Sequence, residues 1–136
     1  MTFDNALFDF GGVVRLALSG LDGTLNLRNS STGNVGGDLD FVRSGTLGSG
    51  GWLNVESGST LTANGRVLVG DILSGAPREP LTDYNAFITV DGTHAPAGET
   101  STFTIDGANI LRVGDSAFYN VNAELIVRNG GVFNSG

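Results

Sequence analysis

The chain has 136 residues, enough for one domain with a sizeable core, and it carries seven arginines, no lysine and fourteen acidic residues, for a net charge of −7. This acidic balance argues against nucleic acid or an anionic membrane as a partner, because both attract lysine and arginine. The absence of cysteine excludes a disulfide framework, a thiolate zinc site and a thiol nucleophile. No run reaches the roughly 20 apolar residues that a membrane helix needs, so we expect no membrane insertion.

A triplet of the form apolar–any–apolar recurs along the chain at an interval close to fourteen residues. It begins at residues 25, 39, 53 and 67, and again at residues 88, 103, 111 and 125. A weaker strand pattern follows about seven residues after some triplets, as at residues 46–47 and 60–62. A regular interval between short strands is typical of a solenoid.

Short β-branched and aromatic runs bounded by Gly, Asn and Asp indicate strands and turns, because helices tolerate these residues poorly. We predict an all-β, right-handed parallel β-helix in which equivalent apolar side chains stack on each other. We favour a three-faced coil of roughly 21–28 residues per turn over a two-faced coil of fourteen, because large aliphatic side chains need a thick core. The alternative is an antiparallel β-sandwich, since Asp-Gly and Asn-Gly also favour hairpins.

The whole chain, residues 1–136, is predicted to form one solenoid domain. Residues 1–20 do not match the repeat, so we interpret them as a cap or an element that contacts another subunit. Residues 72–100 interrupt the spacing and hold all three prolines and the single histidine, His94. Within them, residues 74–84 and 93–100 are predicted to be loops that leave the solenoid.

Two stretches carry a resemblance to a known family. Residues 51–62 (GWLNVESGSTLT) and residues 124–133 (ELIVRNGGVF) resemble the repeats of bacterial autotransporter passenger domains and related surface adhesins. The same pattern occurs in phage tail proteins and in β-helices that degrade polysaccharides. The resemblance implies a parallel β-helix outside the cytoplasm that serves adhesion, surface display or assembly.

Four residues are candidates for a binding surface or an interface. Leu53 and Val55 are predicted to point inward, so Trp52 and Asn54 point outward. Tyr84 and Phe87 are expected to be exposed as well. Exposed aromatic side chains favour a protein contact, with glycan binding as the second interpretation.

Asp38 and Asp40 form the best acidic pair, because both flank an inward Leu39 and are therefore expected to face solvent. Such a pair suits glycan cleavage or calcium binding, and it also suits a solvated acidic rung. His94 lies in a Gly/Pro/Ala loop, where a solvated histidine is expected rather than a Ser-His-Asp site. We therefore assign no catalytic residue, no metal site and no cofactor.

The outward threonines at 60, 62, 89, 102 and 104 do not repeat at one position along the sequence, which argues against an ice-binding array. The function expected from the sequence is a non-enzymatic structural or adhesive module, extracellular or at the cell surface. Its expected partners are copies of itself or neighbouring repeats, with a glycan as a further candidate. The alternatives are a carbohydrate-active β-helix and a phage or viral appendage domain in a virion.

Overall fold

The computed structural model describes residues 1–16, 22–41, 50–70, 83–106, 109–114 and 120–136. These residues form fourteen β-strands and no helix. The strands are β1 (Thr2–Asp4), β2 (Leu7–Phe10), β3 (Val14–Leu16), β4 (Gly23–Arg28), β5 (Thr32–Val35), β6 (Leu39–Phe41), β7 (Gly50–Glu56), β8 (Thr60–Ala63), β9 (Val67–Val69), β10 (Asp83–Asp91), β11 (Thr102–Ile105), β12 (Leu111–Val113), β13 (Asn120–Arg128) and β14 (Val132–Ser135).

The strands form three sheets, and every third strand returns to the same sheet. Sheet A has the order β1-β4-β7-β10-β13, sheet B has the order β2-β5-β8-β11-β14, and sheet C has the order β3-β6-β9-β12. All strand pairs in the described part of the chain are parallel. The parallel β-helix is therefore confirmed, and the antiparallel sandwich is wrong because a sandwich needs antiparallel neighbours.

One turn of the coil, called a rung here, takes one strand from each sheet. Leu25 in β4 pairs with Leu53 in β7, which is 28 residues further along the chain. The wider, three-faced coil is therefore the correct one, and the fourteen-residue interval is half a rung. It joins sheet A to sheet C, because triplets 25–27 and 53–55 lie in β4 and β7 whereas triplets 39–41 and 67–69 lie in β6 and β9. The weak strand at residues 60–62 lies in β8 of sheet B, and residues 46–47 lie outside the described residues.

The core consists of columns, by which we mean residues that share one register position on successive strands of a sheet. Side chains alternate between buried and half-buried along β7 and β8, as expected for strands with one face on the core. Burial of each large apolar side chain contributes about 1.5–3 kcal/mol. The fully buried members with the largest side chains include Leu25, Leu53, Leu61, Ile88 and Phe103.

The corners between sheets A and B have a repeated local cause. Ser57 and Gly58 both have positive φ angles, 54° and 76°, and so do Asn129 and Gly130, at 52° and 77°. Asn and Gly are suited to this left-handed backbone region. A buried serine follows at residues 31, 59 and 101, where its hydroxyl accepts a backbone N–H from the rung before or from its own corner.

Residues 1–16, predicted to be a cap, form a complete first rung of β1, β2 and β3 at one end of the stack. Phe3, Phe8 and Phe10 point toward the core and pack on each other there, with ring centroids of Phe3 and Phe8 3.8 Å apart. The sequence hid this rung because it is shorter: Phe3 pairs with Leu27, only 24 residues away. Residues 93–100 connect β10 to β11, while residues 74–82 lie outside the described residues.

Candidate functional site

The outer face of sheet A brings together most of the residues that the sequence singled out. Trp52 in β7 and Phe87 in β10 are register partners on neighbouring strands, and both are half-buried. Thr24 is the next residue of this column on one side and Glu124 on the other. We call these four residues the aromatic stripe. The stripe crosses four strands and places two aromatic rings at its centre.

Tyr84 does not belong to the stripe, because it is 2% exposed and packs in the hydrophobic core. The prediction that Tyr84 lies on the surface is therefore wrong. The cause is the length of β10, which begins at Asp83 and carries Tyr84, Ala86, Ile88 and Val90 on its inward face. This alternation was readable in the sequence, where only its last two members had been recognised as a strand.

Glycine at position 50 makes room for the indole of Trp52. Gly50 and Trp52 are two residues apart in β7, so they share the outer face of the strand. A Cβ on Gly50 would fall within the six-membered ring of Trp52. The backbone of Gly50 is also anchored, because its N–H donates to Oδ1 of Asp22 at 2.8 Å.

Asparagine side chains border the stripe on both sides. On one side, Asn54 Nδ2 donates to Asn26 Oδ1 at 2.8 Å, and Asn26 Nδ2 donates to Thr2 Oγ1 at 3.2 Å. On the other side, Asn122 Nδ2 donates to Asn85 Oδ1 at 3.3 Å. These bonds orient the amides, and each primary amide has two donor hydrogens and two acceptor lone pairs, more than these bonds use.

A charged column runs along the edge of the same face, next to the corner with sheet B. Arg28 and Glu56 form an ion pair of 2.9 Å, and Arg128 and Asp91 form one of 2.7 Å. Both arginines are about half exposed, so each pair contributes little on its own. Their effect is to align neighbouring rungs in one register.

Asp91 is the most strongly anchored carboxylate of this column. Thr93 donates its backbone N–H to Oδ1 at 2.8 Å, and the side chains of Asn129 and Arg128 donate as well. Hydrogen bonds from Thr93, then from Asn129 and Arg128, hold the pKa of Asp91 well below its ordinary value of 3.8, although burial opposes them. Asp91 thereby fixes the start of the connection that runs from residue 92 to residue 101.

We expect Asp91→Asn to lower the melting temperature at neutral pH, because the amide cannot replace a charged acceptor of three donors. A carboxylate whose pKa is lower in the folded state stabilises the fold above its unfolded pKa, and this stabilisation is lost as the pH falls through the folded pKa. The difference in melting temperature between the wild type and Asp91→Asn should therefore narrow below about pH 3.8. Asp9→Asn, at an exposed position, is the control, and a gap that stays constant from pH 7 to pH 2 would contradict this role of Asp91.

The connection from residue 92 to residue 101 folds back across the corner between sheets A and B. Glu99 accepts a hydrogen bond of 2.5 Å from the hydroxyl of Ser30, which lies two rungs away. His94 is exposed in this connection, and no hydrogen bond joins it to a serine or an aspartate within the described ranges. The arrangement agrees with the expectation of a solvated loop histidine.

The acidic pair of Asp38 and Asp40 does not face open solvent. Asp38 is held by Arg66, whose backbone N–H donates to Oδ1 at 2.9 Å and whose Nε donates to Oδ2 at 3.1 Å. Asp40 is only 1% exposed, and Arg15 Nε lies 3.4 Å from its Oδ2. The expectation that both carboxylates are solvated is wrong for Asp40, which stands in register between Arg15 and Leu68 on sheet C.

Threonines form columns on the outer face of sheet B, contrary to the prediction from the sequence. Thr32, Thr60 and Thr102 occupy one column, and Thr62 and Thr104 occupy the next. Thr60 and Thr102 are 42 residues apart whereas Thr32 and Thr60 are 28 apart, so unequal connections conceal the alignment in the sequence. Thr89 lies apart from these columns, on sheet A.

Fold and surface together define the class of this protein as a three-sheet parallel β-helix with side-chain ladders on its outer faces. No family model, no curated protein and no solved structure matches the chain. Across the described ranges, no cluster of three or more His, Asp or Glu side chains is placed to hold a metal ion. In the same ranges there is no long apolar helix of the kind that crosses a membrane.

Proposed function

We propose that this protein is a non-enzymatic structural module that joins end to end with copies of itself, one rung upon another. The observation that carries this proposal is the match between the two ends of the stack. Rung 1 (β1, β2 and β3) and rung 5 (β13 and β14) present side chains that complement each other column by column.

The first matching column lies on the outer face of sheet B. Its three middle members are the threonines 32, 60 and 102. Its two end members are aliphatic: Leu7 is 84% exposed and Val132 is 37% exposed. Head-to-tail stacking places Leu7 of one copy beside Val132 of the next, which buries both apolar side chains.

Two polar columns match in the same way. The charged column of sheet A begins with Asp4 and ends with Arg128, so the same stacking brings opposite charges together. On sheet B, Asp9 already accepts a hydrogen bond of 2.9 Å from Asn34 on the next strand. Asn134 occupies the equivalent position at the far end and can donate to Asp9 of another copy.

The backbone and the core continue across the joint. β1 and β2 are edge strands at one end, and β13 and β14 are edge strands at the other, and such edges favour pairing with a further strand. Phe3 and Phe8 point into the core columns that end in Val127 and Phe133. Sheet C has one strand fewer, so the joint forms through sheets A and B.

The likeness of residues 51–62 and 124–133 to surface adhesins supports an extracellular or cell-surface location within this proposal. A virion appendage is the second setting in which a rod built from stacked rungs serves. The carbohydrate-active alternative loses support from Asp38 and Asp40, because each carboxylate is paired with an arginine and Asp40 is buried.

The test uses two variants that block opposite ends. Leu7→Lys and Val132→Lys each place a charge in the joint, and each variant alone is expected to remain monomeric where the wild type forms chains. An equimolar mixture should form dimers that do not grow, since one intact end of each type remains. Mass photometry and sedimentation velocity measure these states.

Thr60→Lys is the matched control, because it places the same charge in the middle of the same column. It should assemble like the wild type. Monomers of the wild type at high concentration would overturn the proposal. Chains formed by Leu7→Lys alone would do so as well, and so would an equimolar mixture that stays monomeric.

A further inference from the structure

We infer that the aromatic stripe binds a neutral polysaccharide chain. The inference stands apart from end-to-end assembly, because the stripe lies on the side of the rod and not at its ends. It rests on the arrangement of two rings, four amides and few charges on the outer face of sheet A.

The two rings form one platform. Neighbouring strands are about 4.8 Å apart, so Trp52 and Phe87, as direct register partners, stand side by side. Both side chains alternate with buried neighbours, Leu53 and Ile88, and therefore point out of the sheet. The glycine at position 50 gives the indole space close to the sheet.

The amides supply hydrogen-bonding groups at fixed positions on both sides of the platform. Asn26 and Asn54 lie on one side, and Asn85 and Asn122 lie on the other. Their mutual hydrogen bonds restrict their rotamers before any ligand arrives, which lowers the entropic cost of binding. Neutral amides suit vicinal hydroxyl groups, since an amide both donates and accepts.

Size and charge favour a carbohydrate over other partners. Two aromatic side chains bury roughly 150–250 Å² each, whereas a stable protein interface buries about 800 Å² on each partner. A nucleic acid needs cations, and the charged member of the stripe is Glu124, an anion. A neutral sugar chain offers C–H faces to the rings and hydroxyl groups to the amides, so it fits both components.

Trp52 is the single tryptophan of the chain and therefore reports on its own site. The experiment uses the Leu7→Lys variant as background, so that contacts between copies do not contribute. Laminarin, xylan and dextran serve as neutral probes and polygalacturonate as the acidic comparison. We expect at least one neutral probe to shift the emission of Trp52 and to shield it from acrylamide.

Phe87→Ala and Asn54→Ala should each weaken binding of that probe, Phe87→Ala by about tenfold, which corresponds to about 1.4 kcal/mol. Trp52→Ala, followed by affinity electrophoresis in a gel that contains the probe, should abolish retardation. Thr62→Ala on sheet B is the matched control and should bind like the background variant. Thermal melting by circular dichroism checks that each variant is folded, and Phe87→Ala and Asn54→Ala keep the test valid if Trp52→Ala does not fold.

Three results would overturn the inference. The first is a folded protein whose Trp52 emission and electrophoretic mobility respond to none of the neutral probes. The second is binding that persists unchanged in Phe87→Ala and Trp52→Ala. The third is shielding of Trp52 that rises with protein concentration in the absence of any probe, which would assign the stripe to a contact between copies.

Discussion

Replacement of Phe103 by alanine is expected to lower the free energy of unfolding by about 3–5 kcal/mol. Phe103 is fully buried in β11 and shares a column with Leu61 on one side and Phe133 on the other. Removal of the ring leaves a cavity that the rungs above and below cannot fill without breaking their backbone pairing. Because domains are stable by only about 5–15 kcal/mol, this loss is a large part of the total. Urea denaturation monitored by circular dichroism measures it.

Thr104→Ala is the control, because the neighbouring side chain points out of the same strand. It should change the free energy of unfolding by less than about 0.5 kcal/mol. Phe133→Ala should fall between the two variants, since Phe133 lies in the last strand of the sheet and is only partly buried. Equal losses for Phe103→Ala and Thr104→Ala would contradict the assignment of inward and outward faces.

Substitutions at positions 8 and 33 should compensate for each other. Gly33 occupies the inward column that holds Leu61 and Phe103, and a Cβ at Gly33 would collide with the ring of Phe8. Gly33→Leu alone is therefore expected to cost about 1–3 kcal/mol through overpacking. Phe8→Ala alone removes the ring that fills this space and stacks on Phe3. The double variant should be more stable than the sum of the two losses predicts, with a coupling of about 0.5–3 kcal/mol.

Phe10→Ala combined with Gly33→Leu is the matched control. Phe10 belongs to the same aromatic cluster and the same strand, but its ring does not occupy the space above Gly33. Its effect should add to that of Gly33→Leu. Additive losses for the Phe8→Ala pair would show that the ring of Phe8 does not substitute for the missing side chain in the column.

The outer faces explain why this fold carries so many polar residues without a cleft. Asn34, for example, donates to Asp9 and accepts from Asn64, so one amide links three successive rungs. Arg66 and Asp38 do the same at the corner between sheets B and C. Most of these groups are bound to their neighbours along the rod axis, and the aromatic stripe is the place where apolar rings are left among them.

The class of the fold was determined by local sequence. The apolar–any–apolar triplets specify short strands with one buried face, and the Asn, Gly and Ser residues at the corners allow the left-handed backbone that turns the chain. The inward positions of Leu53 and Val55, and the outward positions of Trp52 and Asn54, followed from the same alternation.

Only the tertiary structure decided which residues are neighbours on different rungs. Trp52 and Phe87 are 35 residues apart and Thr60 and Thr102 are 42 apart, so no constant period relates them. The burial of Asp40 between Arg15 and Leu68 depends on the same pairing. The physical reason is that register between rungs is set by backbone hydrogen bonds and core columns, which align strands through space whatever the length of the connection between them.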